Sequence, residues 1–224
     1  MIRFENVGLA FDGRPVLQGI DLALTERRIA VIGANGSGKS TLARLINGLV
    51  LPTTGRVAVD GLDTRREGKA VRRRVGFVFQ NPDHQIVMPL VEEDLAFGLK
   101  GSGLPAAERE RRIAAVLARY GLEGYRQHPA HALSGGEKQM LAIAGVLVAE
   151  PEIVVMDEPT TLLDLRNKRR IAAIVAGLAQ RVVMVTHDLD LIAGFDRVLV
   201  VEGGRIAADG PPDRAVPAYL DLVA

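Results

Sequence analysis

One stretch restricts this chain more than any other: Gly33-Ala34-Asn35-Gly36-Ser37-Gly38-Lys39-Ser40-Thr41. It fits the pattern G-x-x-x-x-G-K-[ST]. An apolar run, Ile29 to Ile32, precedes it, and a run of helical spacing, Leu42 to Leu49, follows. A strand that ends in a glycine-rich turn and opens a helix points several backbone N–H groups at one spot. The helix N-terminus adds partial positive charge there. That combination cradles phosphate. Lys39 is placed to reach the β- and γ-phosphates, and the Ser40 hydroxyl to ligate Mg²⁺. The nine residues from Gly33 to Thr41 are therefore candidate ligands of a nucleotide.

Around this loop the chain alternates strand and helix patterns. Ile2 to Leu9, Val16 to Leu24, Ile29 to Ile32, Arg56 to Val59 and Val75 to Phe79 read as strands, by period-two or short apolar runs bounded by Gly, Asp and Pro. Glu92 to Leu99, Pro105 to Tyr120 and Gly135 to Ala149 read as helices. Strands resume at Ile153 to Met156, Val182 to Thr186 and Arg197 to Val201, separated by helical stretches such as Asp164 to Leu178. The alternation implies parallel βαβ units. The expected architecture is a single α/β domain over 1–224. Residues 1–90 and 150–224 form its core, and a helical subdomain over about 91–149 is inserted.

Composition removes several chemistries. The chain has no cysteine, so disulfides, thiolate catalysis and sulfur-ligated metals are excluded. Its 28 Lys and Arg against 27 Asp and Glu leave a net charge of +1, too little for a large nucleic-acid face. The longest apolar run, Met140 to Ala149, is far shorter than the ~18 residues that span a bilayer. No charged start followed by an apolar segment marks a signal peptide.

Ile153-Val154-Val155-Met156-Asp157-Glu158 is an apolar strand ending in two carboxylates. In doubly wound sheets the carboxyl ends of the strands face the ligand crevice. Asp157 is the candidate Mg²⁺ partner. Glu158 is the candidate base that orients and deprotonates an attacking water.

Leu133-Ser134-Gly135-Gly136-Glu137-Lys138-Gln139 carries a capping box, Ser134 with Glu137 three residues on. A capping box does not account for two glycines in a first helical turn, each about 1 kcal/mol worse than Ala. Bare backbone at a helix N-terminus suits close approach of an anion. Here the chain resembles the ATP-binding-cassette (ABC) ATPases over essentially its whole length. Leu133 to Gln139 is similar to their signature motif, with Glu at its fifth position.

The resemblance implies a P-loop fold of the ABC type: a mixed sheet core, N-terminal antiparallel strands and an inserted helical subdomain. It implies ATP hydrolysis with Mg²⁺ held by Ser40, Gln80 and Asp157. Phe11 resembles the ring that stacks on adenine, Gln80 the glutamine that touches Mg²⁺ and couples to a membrane partner, and Asp164 the end of the loop at the dimer seam. His187 resembles the histidine that senses the γ-phosphate. Ser134, Gly135 and Gly136 would act in trans, closing over the nucleotide of a second ATPase subunit, for which a homodimer suffices. Three departures stand out: Leu162 where a small residue is usual, Leu165 where Pro is frequent, and Phe11 for the commoner Tyr.

Gln80-Asn81-Pro82-Asp83-His84-Gln85, followed by Val91 to Gly98, resembles the ATPases of energy-coupling-factor importers of vitamins and metals. Asp83 is expected to cap a short helix through Gln85 to Met88. The resemblance implies a transmembrane coupling protein docked near Gln80, Asp83, Gln85 and Met88, a substrate-binding membrane component, and a peripheral position on the cytoplasmic face of the inner membrane. The short chain favours dedicated systems, biotin first, with cobalt and nickel as competitors. Rival readings are a lipoprotein exporter ATPase, a soluble non-transport cassette, and a degenerate adaptor. The adaptor would be expected to lose Glu158 or His187, and both are present.

Overall fold

The computed structural model describes residues 1–224. Ten strands form two sheets. The four-stranded sheet is antiparallel and joins β1 (Ile2–Phe11), β2 (Arg14–Leu24), β4 (Thr54–Val59) and β5 (Leu62–Asp63) in the order β2-β1-β4-β5. The six-stranded sheet contains β3 (Arg28–Ile32), β6 (Val75–Val78), β7 (Ile153–Asp157), β8 (Arg181–Val185), β9 (Arg197–Glu202) and β10 (Arg205–Gly210). Its order is β10-β9-β3-β8-β7-β6, parallel throughout except for β10.

Side-chain alternation divides the six-stranded sheet between two cores. Ile29, Val31, Val155 and Val183 face the antiparallel sheet and α1 (Lys39–Ile46). Ala30, Ile32, Val154 and Met156 face the other way. There they meet residues from α3 (Val91–Gly98), α4 (Ala106–Tyr120), α5 (Gly135–Leu147) and α6 (Leu165–Gly177). With both faces covered, β3 and β7 are buried at every position, as a parallel sheet requires.

Three elements carry weak sequence signals. The helix α2 (Gly68–Arg74) has one buried residue, Val71. In β10 only Ile206 and Ala208 pack, partly, against the cores. The C-terminal α7 (Pro212–Val223) buries only Ala215 fully, and Val216 and Tyr219 pack against the core in part.

One expectation fails. No helix runs from Gln85 to Met88, and Asp83 caps nothing. Pro82–His84 forms a single 3₁₀ turn, and Asn81 caps it by accepting from the Asp83 amide at 3.0 Å. Asp83 is the second residue of its own turn, too far along to reach a free N-terminal amide. It pairs instead with Lys138 of α5 at 2.8 Å.

Candidate active site

The phosphate loop leaves β3 at Gly33, where the chain turns to φ 145° and passes close to β9. A Cβ at this position would stand 2.1 Å from the Val201 carbonyl oxygen, so only glycine fits. The loop then opens α1 with Lys39 and Ser40 in its first turn. It lines a cleft together with Phe11, Val16, Gln80, Glu158, Thr161, His187 and Tyr219. From the loop, Gly33 to Gly36 and Gly38 to Thr41 reach this cleft. Ser37 does not. Its hydroxyl is buried and has no partner.

Asp157 lies directly behind the cleft, fully buried at the end of β7. The Ser40 hydroxyl donates to its Oδ1 at 2.7 Å, and Arg44 reaches its Oδ2 at 3.3 Å. Burial pushes the Asp157 carboxyl above the usual Asp range, while the bonds from Ser40 and Arg44 pull the other way. Lys39 is also buried, and its ammonium donates to the Ala34 carbonyl at 2.7 Å. Burial holds the Lys39 pKa below its ordinary value, opposed by Glu158, Asp157 and Glu202. Both groups are desolvated by the fold itself, Asp157 paired with the Ser40 hydroxyl and Arg44, and Lys39 with the Ala34 carbonyl. Hard oxygen donors of this kind, a carboxylate beside a hydroxyl, match Mg²⁺.

Glu158 follows at φ 48°, a left-handed conformation uncommon outside glycine. Its amide donates to Val185 O at 2.9 Å, and its carbonyl accepts from the Thr161 amide at 3.2 Å. This turn swings the carboxylate out of the sheet and into the cleft. There Oε2 accepts from Gln80 Nε2 and from Thr161 Oγ1, each at 3.0 Å, with His187 Nδ1 at 3.6 Å. Gln80, Glu158 and His187 come from three different strand ends, β6, β7 and β8, and meet at one carboxylate.

The signature residues lie elsewhere. Ser134 caps α5 in a full capping box: Glu137 accepts from the Ser134 amide at 2.7 Å, and Ser134 Oγ from the Glu137 amide at 3.4 Å. Neither Ser134, Gly135 nor Gly136 lines the cleft of its own chain. The two glycines differ. A Cβ on Gly135 would meet open space, whereas one on Gly136 would stand 2.5 Å from the Asn167 side chain of α6. Gly136 thus has a packing reason within the chain, and Gly135 has none. Asp164 also stays out of the cleft; it caps α6 through the Asn167 amide at 2.8 Å.

Thr161, Tyr219 and Arg44 were not legible as site residues. Tyr219 reaches the cleft from the C-terminal helix, while Thr161 and Arg44 lie close along the chain to Glu158 and the phosphate loop but carry no local pattern that marks them. Gln85 is half-buried and turned inward. Its Oε1 accepts from the Phe79 amide at 3.0 Å, and its Nε2 donates to Ala142 O of α5 at 2.7 Å. Asp188 precedes a 3₁₀ turn, Leu189–Ile192, without capping it, and pairs with Lys168 at 2.9 Å.

A glycine-rich phosphate loop between strand and helix, with a buried carboxylate at the end of the next-but-one parallel strand and a second one beside it, defines a P-loop nucleoside triphosphatase. Comparison with known proteins narrows this class. The ABC transporter family model matches residues 17–161. The chain belongs to the ABC transporter family, and it is an ATP-hydrolysing member. A Deinococcus radiodurans relative named as an ABC transporter ATP-binding protein is 63% identical, covering 99% of this chain and 98% of its own. The biotin transport ATP-binding protein BioM of Rhizobium etli is 52% identical, covering 100% and 99%. The cobalt import ATP-binding protein CbiO of Syntrophus aciditrophicus is 48% identical, covering 89% and 74%. The solved structure of cbiO1 from Clostridium perfringens, part of the ABC transporter complex cbiONQ, superposes with a TM-score of 0.85. It is 34% identical and covers 99% of this chain and 92% of its own.

Proposed function

We propose that this chain is the ATPase subunit of an energy-coupling-factor importer, with biotin favoured as the cargo. ATP would lie between Phe11 and the phosphate loop, its γ-phosphate towards Gln80, Glu158 and His187. Ser40, Asp157 and Gln80 would hold Mg²⁺, which when bound neutralises charge on the β- and γ-phosphate oxygens. Lys39 then exchanges the Ala34 carbonyl for phosphate. Glu158 orients a water and takes its proton, while Gln80 and Thr161 keep its reacting oxygen on target. His187 contacts the γ-phosphate. Ser134, Gly135 and Gly136 of a second copy close the site, with Asp164 at the seam. Gly135, free of any packing role in its own chain, supports that reading.

The observation that carries the transport reading is the segment from Gln80 to Gln85. Gln80 bonds Glu158 in the cleft, while Asp83 and Gln85 bond α5, the helix that begins with the signature. A membrane protein resting near Gln80, Asp83, Gln85 and Met88 would therefore press on catalytic carboxylate and signature helix together. The identity to BioM supports biotin, and the cobalt-import relative keeps a metal importer as the second reading.

The deciding experiment is affinity purification of the tagged chain from detergent-solubilised membranes. The expected result is a copurifying integral membrane protein and, with it, a component that retains labelled biotin. Retention of cobalt or nickel instead would establish the second reading. Recovery only from the soluble fraction, with no membrane protein attached, would remove the transport reading.

A further inference from the structure

A second concave site lies far from the nucleotide cleft. It is a groove of about 640 Å³ between the end of α2, the loop after α3, the side of α4 and the residue Ala149 beyond α5. The helix α5 begins at the signature and ends beside this groove, so its thirteen residues separate groove and signature by about 20 Å at 1.5 Å per residue. The groove also lies near the start of β6, whereas the cleft lies past its end.

Its charged lining is all of one sign: Arg72, Arg73, Lys100 and Arg112, with no carboxylate among the lining residues. Only Arg112 has acidic partners, Glu108 at 2.9 Å and Glu150 at 2.8 Å. Arg72 folds its guanidinium back towards Gly68. Lys100 rests over the Phe97 ring at 5.5 Å. No carboxylate balances Arg72, Arg73 or Lys100, and all three are exposed. Between them runs Gly101-Ser102-Gly103. Both glycines have positive φ, 77° and 75°, and neither backbone amide donates to another group of the chain.

We infer that this groove binds a phosphate group. Three unbalanced cations and two unspent amides in one concavity supply the donors that a phosphate oxygen cluster accepts, without a reading of any base or sugar. Guanidinium groups suit the tetrahedral oxygens. The phosphate can belong to an anionic lipid headgroup or to a small soluble phosphate ester. Both present the same chemistry to the groove.

Amide NMR spectra distinguish these cases. The protein is first saturated with Mg²⁺ and a non-hydrolysable ATP analogue, so that the nucleotide cleft is filled. It is then titrated with glycerol 3-phosphate and, separately, with dihexanoyl phosphatidylglycerol. Saturable shifts at the Gly101 and Gly103 amides are expected with at least one probe. They should be lost in Arg72→Ala/Arg73→Ala/Lys100→Ala. The variant is expected to keep wild-type ATP turnover, because the groove is remote from the cleft. A control, Arg66→Ala/Arg109→Ala/Arg214→Ala, removes the same charge from other surfaces. Vesicle sedimentation assigns the source. At least tenfold weaker binding of the groove variant than of the control to phosphatidylglycerol vesicles identifies the lipid, and equal binding identifies the soluble ester. Absence of shifts with both probes, or shifts that survive in the groove variant, would overturn the site. So would equal loss in the control.

Discussion

The Gln80 side-chain amide donates to the Glu158 carboxylate across 3.0 Å, joining the end of β6 to the end of β7 inside the cleft. The same oxygen accepts from Thr161. Two neutral donors hold the carboxylate in one rotamer and leave its other oxygen unclaimed by either. Replacing Glu158 by Gln keeps the shape and removes the proposed base. ATP affinity should stay within a few-fold of wild type, and hydrolysis should fall by about 10²–10⁴. Turnover of ATP under saturating Mg²⁺ checks this, and near-normal turnover would take Glu158 out of the general-base role.

Gly33→Ala should cost far more than its one methyl. The added carbon would collide with the Val201 carbonyl, and φ 145° strains any side-chain-bearing residue. A loss of about 3 kcal/mol in urea unfolding is expected, with weakened nucleotide binding. A change below about 0.5 kcal/mol would show that the β9 edge yields easily there.

Burial raises the Asp157 pKa. The folded state therefore disfavours the charged form, and stability falls as pH rises from the ordinary Asp value, about 4, through the raised native one. Asp157→Asn removes that penalty. The nucleotide-free variant, in chelator, should melt above wild type at neutral pH, with the gap narrowing as pH falls towards about 4. Its ATP hydrolysis should fall steeply. A lower melting point at neutral pH would mean that the Ser40 and Arg44 contacts outweigh burial.

Leu162 is fully exposed and sits at φ 64°. Asn tolerates this conformation better than Leu, by up to about 1 kcal/mol. Leu162→Asn should stabilise the isolated chain by that order in thermal unfolding. If the residue lies at the seam of the ATPase dimer, the variant should also weaken ATP-dependent dimerisation of a Glu158→Gln background in light scattering. Unchanged dimerisation would move Leu162 away from the seam.

The parts of this molecule visible in its sequence are those fixed by neighbours along the chain. The phosphate loop needs only a strand before it and a helix after it. Asp157 and Glu158 follow a buried strand, and Ser134 with Glu137 spells its own cap. What escaped notice depends on approach through space. Arg44 sits one turn beyond the phosphate loop, and nothing local says that it reaches Asp157. Tyr219 arrives from a C-terminal helix with little buried surface. The misplaced cap at Asp83 has a different origin. Asn81 and Asp83 are both residue types that cap, but the turn starts at Pro82, so Asn81 takes the cap position and the Asp83 side chain pairs with Lys138, fifty-five residues away.

Gln85 grips Phe79 at the sheet edge with its oxygen and Ala142 of α5 with its nitrogen. Both grips belong to one rotatable side chain, and each is worth about 1 kcal/mol net. In mechanical terms that is a pivot pin rather than a weld. A slide of α5 along the sheet edge must break both contacts, whereas a rotation about Gln85 can keep them, and the core shared by sheet and helices resists either.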